Sequence, residues 1–122
     1  MARDHSAEKK VTLSGGGTRS AGAAPLHLVP REGFIRTAQR FGLGAEKHGA
    51  ENWRRSIRNE EDALAWARMA YDHMMEHALR MATGDFPDDD HLGAIGWAQS
   101  VLCHIEEKYK KLWTSLARTA KP

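Results

Sequence analysis

The sequence predicts an all-α protein, a small antiparallel helical bundle behind a disordered N-terminal tail. Three observations lead there. Apolar residues recur at helical spacing from Phe34 onward. No internal repeat and no convincing strand pair interrupts them. Residues 1–24 carry almost nothing to bury: Ser14-Gly15-Gly16-Gly17 and Ala21-Gly22-Ala23-Ala24 read as a flexible tail. The remaining residues, 25–122, read as one helical domain, since a chain of 122 residues supports a single core. Apolar residues at 41% and charged residues at 28% are the balance of a globular protein.

Leu26, Leu28 and Val29 alternate with His27, which predicts a short extended segment docking before Pro30. Pro30 suits the first turn of a helix, where its missing N–H costs nothing. Phe34, Ile35, Ala38 and Phe41 then mark a helical face, and Gly42 and Gly44 are expected to weaken its end. Ala45 to Trp53 reads as a second short helical piece interrupted by Gly49. Asn59 is placed to cap a clearer helix over Glu60 to Thr83, with acids in its first turn. Its predicted apolar stripe is Leu64, Ala67, Tyr71, Met74, Ala78 and Met81. Gly84 and Pro87 end it. Aspartates 88–90 supply the next cap. Ile95, Leu102, Tyr109 and Leu116, with Ala98, Ile105 and Leu112 between them, predict one long helix from His91 to Leu116. Trp97, Val101 and Trp113 lie beyond its main stripe, so a homo-oligomer through helical faces is expected.

A net charge of +2 gives no strong nucleic-acid signal, although Arg54, Arg55 and Arg58 form a basic cluster that either meets phosphates or is simply solvated. The single cysteine, Cys103, excludes an intramolecular disulfide, and its apolar helical surroundings predict a buried, inert thiol. No apolar run approaches the ~20 residues of a membrane span. The first residues lack the apolar region of a signal peptide. A cytoplasmic protein is expected.

Three clusters could carry chemistry. The first runs from Gly44 through Lys47, His48 and Gly49 to Asn52 and Trp53. A cation, an amide and an aromatic plane are the parts a phosphate and a base require. They are equally the parts of a solvated helix end anchored by a tryptophan. The second holds Asp72, His73, Glu76 and His77: the two histidines are four residues apart, as are the two acids, so each like pair shares a face. Metal ligation, general-base work and surface charge pairing all fit that spacing; His73 reads as surface, and His77 flanks the apolar stripe. The third, Asp88-Asp89-Asp90-His91, has more acid than one cap requires, and hard cations favour carboxylate oxygens.

The order of these motifs resembles one family. The run Pro25 to Pro30, then Gly44-Ala45-Glu46-Lys47-His48-Gly49 with Asn52-Trp53, then His77 seven residues before Gly84-Asp85, then Asp90-His91-Leu92, is similar to the N-terminal domain of the phage-type dATP/dGTP diphosphohydrolases. The likeness covers about Pro25 to Glu107. This sequence departs from the family pattern at His48 for Tyr, Glu76 for Arg, Asp85 for Glu and Ala98 for Asn.

The resemblance implies kinship with the MazG-like all-α nucleotide pyrophosphohydrolases, which cleave between the α- and β-phosphates. It implies a metal-dependent deoxynucleoside triphosphate diphosphohydrolase releasing a monophosphate and pyrophosphate, in a host cytoplasm if phage-encoded. Mg²⁺ or Mn²⁺ would activate water and neutralise phosphate charge. Lys47, Asn52 and Trp53 would bind the substrate, His77, Asp90 and His91 would be catalytic, and Asp85, Asp88 and Asp90 would hold the metal. The alternative is a non-catalytic nucleotide- or protein-binding module of the same fold, which the departures at Glu76 and Ala98 favour.

Overall fold

The computed structural model describes residues 10–12, 18–20 and 25–119. The chain divides into two compact units, Met1–Pro30 and Arg31–Pro122. Most of the expected tail, residues 1–24, lies outside the described residues. Within it, however, β1 (Lys10–Thr12) pairs antiparallel with β2 (Thr18–Ser20), Val11 opposite Arg19. A strand pair was not expected there. Val11, Thr12 and Thr18 are β-branched and suit extended backbone, but three residues are too few for alternation to register. The predicted extended segment before Pro30 is instead one 3₁₀ turn, Leu26–Leu28, whose leucines are exposed.

The second unit is all helical: α1 (Arg31–His48), α2 (Asn52–Arg55), α3 (Glu60–Thr83), α4 (His91–Lys108) and α5 (Leu112–Thr119). Helix α4 packs against α3 on one side and α1 on the other, and α5 returns to α3. Helix α1 runs through Gly42 and Gly44 and stops only before Gly49, whose φ of 88° lies in the left-handed region. Two glycines cost about 1 kcal/mol each in a helix interior, too little to break one held by packing. Contrary to the predicted face, Phe34 and Ile35 are largely exposed. Of that face Phe41 is half-buried against the core as expected, and Thr37, Arg40 and Gly44 are half-buried beside it. A Cβ on Gly96 would collide with the Thr37 hydroxyl, and one on Gly93 would lie 3.1 Å from the Arg36 carbonyl. The two helices thus approach closely at Gly93 and Gly96, which leave no room for a side chain.

Helix α3 has the predicted bounds. Asn59 accepts the Asp62 N–H at 2.9 Å, and Gly84, with φ of 76°, closes the other end by donating to the Arg80 carbonyl. Its fully buried residues are Ala63, Ala67, Ala70 and His77; of the predicted stripe, Ala67 is buried and Leu64 and Met74 pack half-buried against the core, whereas Tyr71, Ala78 and Met81 are exposed. Alanines let α3 approach the small face of α4, Ala94 and Ala98, more closely than a row of large side chains allows. Ile57, Val101, Leu102, Ile105 and Leu112 complete the core.

The single long helix expected from His91 to Leu116 is broken. At Tyr109 the backbone leaves helical geometry (φ −124°, ψ 89°), and α5 starts anew at Leu112. The break folds Leu112 into the core at 1% exposure. Two of the residues expected to serve an oligomer are also used within the chain: Val101 is fully buried and Trp97 packs 6.2 Å from Phe41. Cys103, expected to be buried, is exposed. It sits on the α4 face opposite Val101 and Ile105.

Candidate functional site

The link between α3 and α4 builds the polar centre. Gly84 turns the chain, Phe86 adopts a left-handed φ of 53°, and the Asp89 N–H returns to the Phe86 carbonyl at 3.0 Å. This tight loop sets the N-terminus of α4 beside the last turns of α3. His77 and His91 meet there, both buried, with Nδ1 to Nδ1 at 2.9 Å. The Asp89 carboxylate lies 3.9 Å from His77 Nδ1. One donor atom from each of His77, Asp89 and His91 falls within 4.8 Å of the other two, a group that could hold a metal ion.

The hydrogen bonds fix how the histidines face each other. His91 Nε2 lies 3.0 Å from the Asp85 carbonyl, which can only accept, so Nε2 carries the proton. A neutral His91 therefore presents its Nδ1 lone pair to His77. This is the outer-shell arrangement by which a backbone carbonyl orients an imidazole ligand. His73 stacks edge-on against His77 at 4.6 Å and against Trp97 at 5.6 Å. Burial holds His77 below the usual imidazole range, and neighbouring His73 adds to this. Burial and the Arg40 charge lower His73 as well. Burial pushes Asp89 up, but the Arg40 hydrogen bond at 3.2 Å and its charge outweigh that, and the carboxyl titrates below its usual range.

The three aspartates assigned through the family likeness lie elsewhere. Asp90 caps α4, accepting the Gly93 N–H at 3.0 Å, and pairs with Arg36 of α1, whose Nε lies 3.0 Å away. The Arg36 hydrogen bond lowers its pKa. Asp85 contributes its backbone carbonyl, and its side chain is exposed, as is that of Asp88. His77 and His91 are brought together; the carboxylates of Asp85, Asp88 and Asp90 are not in their group. Sequence reasoning named Asp89 only as one of the acidic run and did not name Arg40 or Arg36. Asp89 stood in the acidic run, but only the loop geometry separates the aspartate that caps from the one that faces the imidazoles. Glu76, a departure from the family pattern, pairs with Arg80 along the surface of α3, and Ala98, another, is buried in the α3–α4 core.

Two pockets that share lining residues lie near this centre, and Asp89 enters one of them. One, about 570 Å³, is aromatic: Phe41, Trp53, Trp66, Trp97 and His104 line it together with Asn52. Trp53 stands edge-on to His104 at 5.1 Å, and the Arg54 guanidinium lies 5.1 Å from its ring centroid. The other, about 530 Å³, is cationic at Arg40 and Lys47, with His73 and Asp89 in its wall. Gly44, His48 and Trp97 line both. The left-handed turns at Gly49 and Glu51 carry the chain from α1 to α2 and so hold Lys47 and Trp53 on the two sides of this boundary. Lys47 therefore falls in one pocket, Asn52 and Trp53 in the other.

Fold and site together define a small helical protein with a His–Asp–His group beside an aromatic and cationic groove. The chain belongs to the family described as dATP/dGTP diphosphohydrolase, N-terminal, whose model matches residues 14–115. No curated protein and no solved structure gives a significant match. Among the described residues, no helix is long and apolar enough to cross a membrane.

Proposed function

We propose that the chain is a metal-dependent deoxynucleoside triphosphate diphosphohydrolase that releases a deoxynucleoside monophosphate and pyrophosphate. The observation that carries this reading is the junction of the two pockets at Gly44, His48 and Trp97. A base stacks in the aromatic pocket against indole faces, with the Asn52 amide available to its polar edge. The triphosphate then extends past Gly44, where no side chain obstructs it, to Arg40 and Lys47. There it meets the wall formed by Asp89. His77, Asp89 and His91 would hold a divalent cation. Such a cation neutralises phosphate charge and lowers the pKa of bound water. His73, held towards its neutral form, leaves Arg40 and Lys47 as the fixed positive charges for the phosphates. Asp90 keeps the loop in register through Arg36 and Gly93 rather than touching substrate.

Calorimetric binding of dATP and dGTP tests the arrangement. Trp53→Ala should weaken both, by the ~1–3 kcal/mol that one base–aromatic stack contributes, and should weaken the nucleoside alike. Lys47→Ala should weaken the triphosphate and leave the nucleoside unchanged. Equal losses for nucleoside and triphosphate in both variants would overturn the division of the groove.

A further inference from the structure

The cation left open above has a chemical class written into its ligands. We propose that His77, Asp89 and His91 form a facial site of two imidazoles and one carboxylate for a single borderline first-row divalent cation, of the Fe²⁺, Co²⁺ or Zn²⁺ class. Mg²⁺ is disfavoured there. Mg²⁺ selects oxygen ligands and keeps much of its water, whereas imidazole nitrogen suits the transition metals.

Three features of the geometry support this. The two Nδ1 atoms stand 2.9 Å apart. Two imidazole nitrogens bound at ~2.1 Å and at right angles to one another are separated by about 3 Å, so the pair already has the spacing of neighbouring ligands. His91 has its Nδ1 lone pair directed inward by the Nε2–H bond to the Asp85 carbonyl. His77 needs only its proton on Nε2 for its own Nδ1 to do the same. Asp89 Oδ2, at 3.9 Å from His77 Nδ1 and within 4.8 Å of the His91 ligand atom, completes the face after a shift of about 1–2 Å. Three ligands on one face leave the others for water and phosphate oxygens, on the side where Asp89 enters the cationic pocket. The Asp85, Asp88 and Asp90 carboxylates would have made an all-oxygen site, and they are not in this group.

The assignment deepens the proposed function, yet it is read without nucleotide, so failed hydrolysis and failed cation binding remain distinguishable. The test is titration of the metal-free 122-residue chain with Co²⁺, followed by its visible d–d bands. One Co²⁺ should bind per chain, be displaced by equimolar Zn²⁺, and resist about a hundredfold excess of Mg²⁺. Asp89→Asn, which keeps the side-chain shape, should weaken Co²⁺ by ~10-fold or more. Should that variant fail to fold, Zn²⁺ added to the wild-type chain provides a second readout. The imidazole nitrogen resonances of His77 and His91 should both shift, with Nδ1 as the bound atom. Absence of Co²⁺ binding, displacement by Mg²⁺ as readily as by Zn²⁺, a folded Asp89→Asn of unchanged affinity, or Zn²⁺ shifts confined to other histidines would each overturn the proposal.

Discussion

Replacing Asp90 separates a structural aspartate from a metal ligand. Its carboxylate serves two partners: the Gly93 N–H, at the third position of α4, and Arg36 across on α1. Loss of an N-cap costs about 1 kcal/mol, within ~0.5–2. The pair with Arg36 is partly exposed, with side-chain exposures of 45% and 35%, and so adds little. Asp90→Ala should therefore lose ~1–2 kcal/mol. For a helical unit spanning Arg31–Pro122, that is a fall in Tm of roughly 5–15 °C. Asn caps as well as Asp, so Asp90→Asn should lose only the ion pair and fall by ~5 °C at most. Thermal unfolding followed by circular dichroism measures both. Metal affinity per folded molecule should match the wild type in each. An Asp90→Asn protein that melts normally but no longer binds metal would make Asp90 a ligand and refute this division of roles.

The Asp62 carboxylate accepts from both the backbone N–H and the guanidinium of Arg58, at 3.1 and 3.0 Å, and these bonds hold its pKa below the usual range. Its contribution is complete above the unfolded value of ~3.9 and is lost as pH falls through the folded value. The Tm gap between wild type and Asp62→Asn should therefore close on acidification below about pH 4; a gap constant with pH contradicts the assignment. Helix α3 exposes Tyr71, Met75 and Leu79 in a row at 46%, 49% and 64%, a face suited to self-association. Sedimentation should show a dimer or larger species that Met75→Glu dissociates, and a monomer at ~100 µM would count against it.

Local signals in the sequence were legible where one side chain or backbone preference decides the outcome. Asn59 and Gly84 delimit α3 because a cap and a left-handed residue act within one turn. What depends on neighbours was not legible. The α3 face is set by how closely Ala67 and Ala70 can approach α4, and large residues such as Tyr71 carry the stronger periodic signal while facing outward. The break at Tyr109 has neither glycine nor proline to announce it; it follows from the burial of Leu112. In the site, His77 and His91 could be paired from the short turn between their helices. Asp89 could not be chosen from three adjacent aspartates, because a shift of one residue exchanges the cap for the partner of the imidazoles.

The central claim, a nucleotide seated across the two pockets with its phosphates at the His–Asp–His group, is tested most directly by product analysis. The chain, loaded with Co²⁺ or in parallel with Mn²⁺, would be incubated with dATP and dGTP, and nucleotide and phosphate products quantified together. Equal amounts of deoxynucleoside monophosphate and pyrophosphate are expected, with turnover abolished in Asp89→Asn. Tight binding of both nucleotides without any cleavage would contradict the hydrolase and leave a non-catalytic binding module.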